Sequence, residues 1–282
     1  MTLTVRRAPQ DLPELSHIMG GVAAAPSEWE TWAEEPGSTL VAVADGVHAG
    51  AVHVTLVGRV EAWVENLRVL PDFQGKGIAR ALVAEAEQVA RQYGSAVIRT
   101  AIPSHDYAAQ AVAARAGYRE VLQGVVAETA VDFGPVYLPY DAPVSTPAPS
   151  RAPEVFALID QLAAVSAWAH LVPLGWRFRR MVPELVRGFL KDQRVVLAGT
   201  REAVCLFAIR DDAAVVSLID GTPAGMQAAF GTVIEQARRE GAARAVVFAV
   251  DSRALAPLGA ATWQPHGWCP DGLLVVEKSL AS

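Results

Sequence analysis

The chain has 282 residues, a formal charge of −6, and is 52% hydrophobic and 19% charged. It is too apolar to be a disordered chain, too acidic overall for a general nucleic-acid binder, and long enough for two domains. Cys205 and Cys269 are the only cysteines, which excludes a disulfide framework and a Cys-rich metal site and leaves two buried thiols as the expectation.

Neither a signal-peptide core at the N-terminus nor an apolar run of spanning length is present, so the expectation is a cytoplasmic protein with no membrane partner. Residues 3–8 alternate as a first strand, and Asp11-Leu12-Pro13 reads as the N-cap and first turn of a helix. Residues 20–37 hold Trp29 and Trp32 among Glu28, Glu30, Glu34 and Glu35. The segment reads as an amphipathic helix that buries its tryptophans, although aromatic and acidic residues together would also suit a cationic amine. Strands follow at 39–45 and 49–57, joined at Asp45-Gly46, and a third spans about 60–70.

Pro71-Asp72 ends that third strand, because proline cannot donate to a sheet ladder and aspartate favours turns. A loop from Gln74 to Gly77 then enters a helix over 77–93, whose apolar face is Ile78, Leu82, Val83, Ala86, Val89, Ala90 and Tyr93, closed by Gly94. A strand, a glycine-bearing loop and a helix N-terminus in that order make an anion site. The first helical N–H groups have no internal partner, and the helix dipole adds about half a positive charge there. Gly75 and Gly77 let the backbone approach a phosphate without a Cβ in the way. A Walker loop is excluded, since Lys76 is followed by Gly77 rather than Ser or Thr, and so is the dinucleotide fingerprint, since Arg80 stands where its third glycine belongs.

Gln74, Gly77 and Ala79, preceded by Val69 and Pro71, resemble the acyl-CoA loop of the GNAT superfamily of N-acyltransferases, whose core pattern is Gln/Arg-x-x-Gly-x-Gly/Ala. The resemblance implies an α/β fold with a mixed central sheet flanked by helices, acetyl-CoA as co-substrate and no metal. It also implies that backbone groups from Gln74 through Gly75, Lys76, Gly77, Ile78 and Ala79 to Arg80 hold the pyrophosphate, and that backbone groups at Leu67 and Val69 meet the pantetheine arm. After a strand at 97–102 comes a short helix over 106–116, where Asp106, Ala109, Val112, Gly117 and Tyr118 follow the family's second pattern. Asp106 replaces its usual asparagine, leaving two readings, a contact to the pantetheine arm or a plain N-cap. Ala113 replaces the tyrosine that many members use as general acid.

A strand over 118–125 follows. From 133 to 153 the composition turns to Pro, Ser, Ala and Thr, which reads as a linker at 141–153. Helices are expected at 154–168 and 183–190, and strands at 193–199, 203–210 and 213–219. The second half then echoes the first: a strand leads through Asp220-Gly221-Thr222-Pro223-Ala224-Gly225 into a helix ending at Glu240-Gly241, with a strand at 245–250 and a short helix at 252–261 after it. The expectation is a tandem arrangement, a GNAT domain over 1–140 and a degenerate GNAT-like domain over 154–282 that has lost the CoA loop.

The resemblance implies a carboxylate base on the strand before the loop, Glu65 first and Glu61 second, moving an acetyl group directly to a primary amine. The six histidines show no metal-ligand spacing, and no Gly-x-Ser-x-Gly elbow supports a hydrolase. A non-catalytic acyl-CoA-binding or interaction protein is the alternative. The acceptor, a small molecule or a peptide amine, and the oligomeric state are not written in these motifs; no nucleic acid is expected.

Overall fold

A computed structural model describes residues 1–8, 35–58, 60–132, 140–210, 212–258 and 263–281. In chain order its elements are β1 (Leu3–Arg7), β2 (Gly37–Ala44), β3 (Val47–Val57), β4 (Glu61–Val69), α1 (Ile78–Gln92), β5 (Val97–Pro103), α2 (Tyr107–Arg115) and β6 (Arg119–Ala130). There follow β7 (Val144–Ser145), α3 (Ala152–Ile159), α4 (Ala163–Ala167), β8 (Leu171–Leu174), β9 (Arg177–Arg180) and α5 (Pro183–Lys191). The chain closes with β10 (Val195–Ala198), β11 (Ala203–Arg210), β12 (Ala213–Gly221), α6 (Pro223–Arg239), β13 (Arg244–Ala249), β14 (Gln264–Pro265) and β15 (Leu273–Ser279). Among the described residues no helix is long and apolar enough to cross a membrane.

Two compact units result. The first comprises Met1–Ile102, Asp106–Glu120 and Val275–Ser282, and the second Pro103–His105 and Val121–Leu274. In the first unit the sheet runs β1-β2-β3-β4-β5-β15. Its first four strands form an antiparallel meander, whereas β4 and β5 are parallel and joined through α1. The β2–β3 turn sits at Asp45 and Gly46, both at positive φ, as a tight hairpin turn requires.

One face of this sheet packs on α1. Leu40, Ala42, Val52, Val54, Ala62 and Val64 meet Ile78, Leu82, Val83, Ala86, Val89 and Ala90 in one core cluster. Each fully buried large aliphatic side chain contributes about 1.5–3 kcal/mol, so this face alone accounts for the helix. Tyr93 is a correction to the sequence reading: it caps α1, is 49% exposed, and lies under the Arg7 guanidinium instead of in the core. Glu87, which no apolar face predicts, is buried on α1 and held by the Lys278 ammonium at 2.6 Å.

Along β4 the alternation breaks. Ala62 and Val64 face the core, then Leu67 and Val69 do, which is one position late for a regular strand. The register explains it: His53 pairs with Glu65 and Ala51 with Arg68, so Asn66 and Leu67 together oppose Val52. This is a β-bulge, with Asn66 in the left-handed region at φ 54°.

The second unit's sheet runs β6-β13-β12-β11-β10-β7, with β14 also on β6. It repeats the pattern of the first: an antiparallel β10–β11–β12 meander, a helix, and a parallel β12–β13 pair. It repeats the bulge as well, since Leu206 pairs with Leu218 and Phe207 with Val216, leaving Ser217 as the extra residue. Helix α6 buries Met226, Ala229, Phe230, Val233, Ile234 and Ala237 against this sheet.

The stretch at 154–168 is two helices, α3 and α4, broken at Asp160 to Leu162, where the sequence pattern gave one. Residues 171–180 form the β8–β9 hairpin, to which the sequence reading assigned no element. Within the segment read as a linker, Val144 and Ser145 pair with β10. Residues 275–282, read with the second half, pack in the first unit, where Arg99 on β5 binds Glu277 at 2.8 Å. Both cysteines are buried and unbridged.

Candidate active site

The loop between β4 and α1 is built from local bonds. The Leu70 amide donates to the Ala49 carbonyl, and Pro71–Phe73 make one 3-10 turn. The Gln74 side chain then folds back, its amide donating to the Val69 carbonyl at 3.2 Å and fixing the loop on the end of the strand. Gly75 and Gly77 both have positive φ, 71° and 83°, and a Cβ at either would meet open space. The glycines therefore serve the turn's handedness and leave room above it. Gly77 is the N-cap of α1, with no side chain capping the helix. Gln74, Gly75, Lys76, Gly77 and Arg80 are exposed, Ala79 is half-buried and Ile78 is buried. Lys76 lies over the Phe73 ring at 5.1 Å. The result is a run of uncapped amides with two basic side chains beside them, the donor set an anion needs.

The corresponding helix start in the second unit is different. The Thr222 hydroxyl accepts from the Gly225 amide at 3.2 Å, Pro223 removes a donor, and a Cβ on Gly225 would already touch Ala203. Pro223 thus offers no amide hydrogen, and the Gly225 amide is already taken.

Beside the first loop the sheet opens. The parallel register of β4 and β5 runs from Glu61/Val97 to Trp63/Arg99 and ends there. The outer part of β4, from Val64 onward, has no ladder with β5. Leu67 and Val69 turn their side chains toward the core cluster, so what they offer on the open side is backbone.

The face of β4 opposite α1 is polar. Glu65 accepts from the Thr55 hydroxyl at 2.7 Å and is paired in register with His53, which is buried and bonded through Nδ1 to the Thr39 hydroxyl at 2.8 Å. Glu61 sits at the paired end of the strand, its carboxylate 3.2 Å from the Arg99 guanidinium, which is itself buried between Glu61 and Glu277. That ion pair gives Glu61 a structural role. Arg68 lies on the same face as Glu65.

Asp106 caps α2, accepting from the Ala109 amide at 2.9 Å. Ala113 is buried within the core cluster and Tyr107 is 77% exposed, so these two positions do not share a face. The Tyr118 phenol is buried, and burial with the Glu87 carboxylate nearby pushes its pKa well up, so it stays protonated. Trp29 and Trp32 lie outside the described residues. What sequence reasoning missed is the bulge at Asn66 with its neighbours His53, Thr55 and Arg68; the signal available was the slipped alternation of Ala62, Val64, Leu67 and Val69.

Residues 10–118 match the family model described as "Acetyltransferase (GNAT) family". The match covers less than half of the chain, and over that segment the sequence is similar to the GNAT acetyltransferases. No curated protein matches the chain. Among solved structures, a "GCN5-related N-acetyltransferase" from Sphaerobacter thermophilus matches with TM-score 0.68 at 16% identity, covering 99% of this chain and 96% of that one. A "tandem GNAT protein from the clavulanic acid biosynthesis pathway" matches with TM-score 0.58 at 15% identity, covering 100% and 99%. At these identities the likeness is one of fold, and it extends over the full length of both. The chain thus has a GNAT fold and matches tandem GNAT proteins from end to end.

Proposed function

We propose that the protein transfers an acetyl group from acetyl-CoA directly to a primary amine, and that the first unit performs this reaction. The observation that carries the reading is the uncapped α1 N-terminus, with open space over Gly75 and Gly77, standing beside the unladdered end of β4. Residues 74–80 hold the pyrophosphate by backbone amides, with Lys76 and Arg80 adding charge. Pantetheine lies along β4, where the backbone near Leu67 and Val69, on the side without a β5 ladder, receives it and polarises the thioester carbonyl.

Glu65 takes the proton from the acceptor ammonium, directly or through one water. The freed nitrogen attacks the thioester carbon, the carbonyl becomes a tetrahedral oxyanion, the nitrogen gives its surplus proton to water, and the C–S bond breaks as the oxyanion collapses. CoA departs as a thiolate. With a thiol pKa near 8.5, that anion leaves tolerably at neutral pH, so Ala113 in place of a tyrosine does not halt the reaction. The second unit is a degenerate GNAT-like domain that binds no CoA, because Thr222 and Pro223 have closed its helix start. The experiment is acetyl-CoA titration by calorimetry together with CoA release over a panel of amines. One site per chain and amine-dependent release are expected. Binding without release on any amine would leave the non-catalytic reading, and two equivalent sites would overturn the assignment of the second unit.

A further inference from the structure

We infer that Arg68 binds a carboxylate on the acceptor, so that the acceptor is an amine carrying a carboxylate, an amino-acid-like molecule. The inference rests on the transferase reading for the placement of the reacting nitrogen beside Glu65, and on the bulge for the placement of the arginine. Glu65 pairs with His53 and Arg68 with Ala51. His53 and Ala51 are two apart on β3 and share a face, so Glu65 and Arg68 share it too, one strand step or roughly 7 Å apart along the sheet. It is the face away from α1: Gly50, next to Ala51, is the residue whose Cβ would meet Ile78 and Leu82. A donor held at the α1 N-terminus and an acceptor on the opposite face then approach the open end of β4 from two sides.

The second observation is the state of the guanidinium. Among the described residues Arg68 has no hydrogen-bond or ion-pair partner, and its Nε is fully screened from solvent and unsatisfied. Leaving such a charged donor buried without an acceptor costs stability. Arg99, fully buried where Arg68 is half-buried, shows how this fold settles a guanidinium when it is structural, with two carboxylates at 3.2 and 2.8 Å. Nothing similar is supplied to Arg68. Ala51, directly across from it, carries no polar group that could answer the guanidinium. A planar fork beside a carboxylate base is suited to a molecule with a carboxylate and an ammonium a few ångströms apart, the fork taking the carboxylate in two parallel bonds while Glu65 takes the proton.

The test uses the full chain loaded with CoA and a panel of α- and ω-amino acids, each beside the amine that lacks its carboxylate. Binding is read by thermal shift and calorimetry, and turnover by CoA release with acetyl-CoA. Carboxylate-bearing members are expected to bind and their decarboxylated partners to lose about 10- to 100-fold. Arg68→Gln should erase that preference, Arg68→Lys should restore part of it, and acetyl-CoA affinity should stay unchanged in both. The inference is overturned if no carboxylate-bearing member binds, if the decarboxylated amines bind as well, or if Arg68→Gln leaves the preference intact. It is equally overturned if Arg68→Gln weakens acetyl-CoA instead, which would make the arginine part of the donor site. A carboxylate preference in binding with no CoA release would sustain the Arg68 site and sink the transferase reading.

Discussion

Glu65 and Arg68, three positions apart in β4, lie on the same face of the sheet because the bulge at Asn66 adds one residue between them. In a regular strand residues i and i+3 face opposite ways. The bulge therefore does two things at once: it returns Leu67 and Val69 to the core, and it sets a carboxylate and a guanidinium side by side.

Glu65→Gln should lower kcat/KM by about 10²-fold or more at neutral pH, with partial recovery as the pH approaches the acceptor's own pKa. A base matters only while the amine arrives protonated, so the defect shrinks as free amine becomes abundant. Glu61→Gln should behave otherwise. It removes one of two carboxylates holding the buried Arg99, so a lower Tm with an unchanged pH profile is expected. Wild-type rates for Glu65→Gln across pH 6 to 9, measured by CoA release, would remove Glu65 from the mechanism.

Gly77→Glu should abolish acetyl-CoA binding while the fold survives. At φ 83° any side chain costs about 1–2 kcal/mol of backbone strain, but a Cβ there meets nothing. Gly77→Ala carries the strain alone and is the control. Calorimetry should give a modest loss for alanine and no detectable binding for glutamate, whose charge occupies the phosphate position. Equal affinities for the two variants would show that the loop does not hold an anion.

Much of the first unit was legible because its signals are local. The Gln74 to Gly77 loop, the α1 face and the Asp45-Gly46 turn each depend on a few adjacent residues, and the structure has them where the pattern does. What was not legible depends on partners distant in sequence. Nothing around Leu273 to Ser279 says that the strand will enter the first unit, since strand order is a property of the sheet. The β8–β9 hairpin was hidden because Leu171 to Leu174 is a short apolar run without a period, which suits strand or helix equally. Arg68 was hidden for a third reason: alternation assigns faces only while the strand is regular.

Asp106 separates two roles by two substitutions. Its carboxylate caps α2 through the Ala109 amide, so Asp106→Ala should cost about 1 kcal/mol of stability. Asp106→Asn keeps a cap of nearly equal quality and adds a donor. If Asp106 is only a cap, asparagine leaves both Tm and acetyl-CoA affinity where they are. A change in affinity at constant Tm would place the side chain on the pantetheine arm.

His266 should make the second unit sensitive to mild acid. Burial holds its pKa below the ordinary histidine value, and Glu128 only partly offsets that. Its ring packs edge-on to Trp176, with centroids 4.8 Å apart, and its Nδ1 accepts from the Trp268 amide at 3.2 Å. Both contacts suit the neutral ring; a proton on Nδ1 would remove the acceptor. The unfolded chain takes up this proton near the ordinary value of about 6.5, while the folded chain does so only at lower pH. Above about 6.5 neither state is protonated at this site and it contributes no pH dependence. As pH falls below that, the unfolded state gains protons first and stability drops, until the folded pKa is also passed and the loss levels off. His266→Asn keeps an acceptor for the Trp268 amide but has no titration in this range. Calorimetry from pH 8 to pH 5 should therefore show a steeper fall in Tm for the wild type than for His266→Asn, and parallel curves would show that another group governs the acid limb.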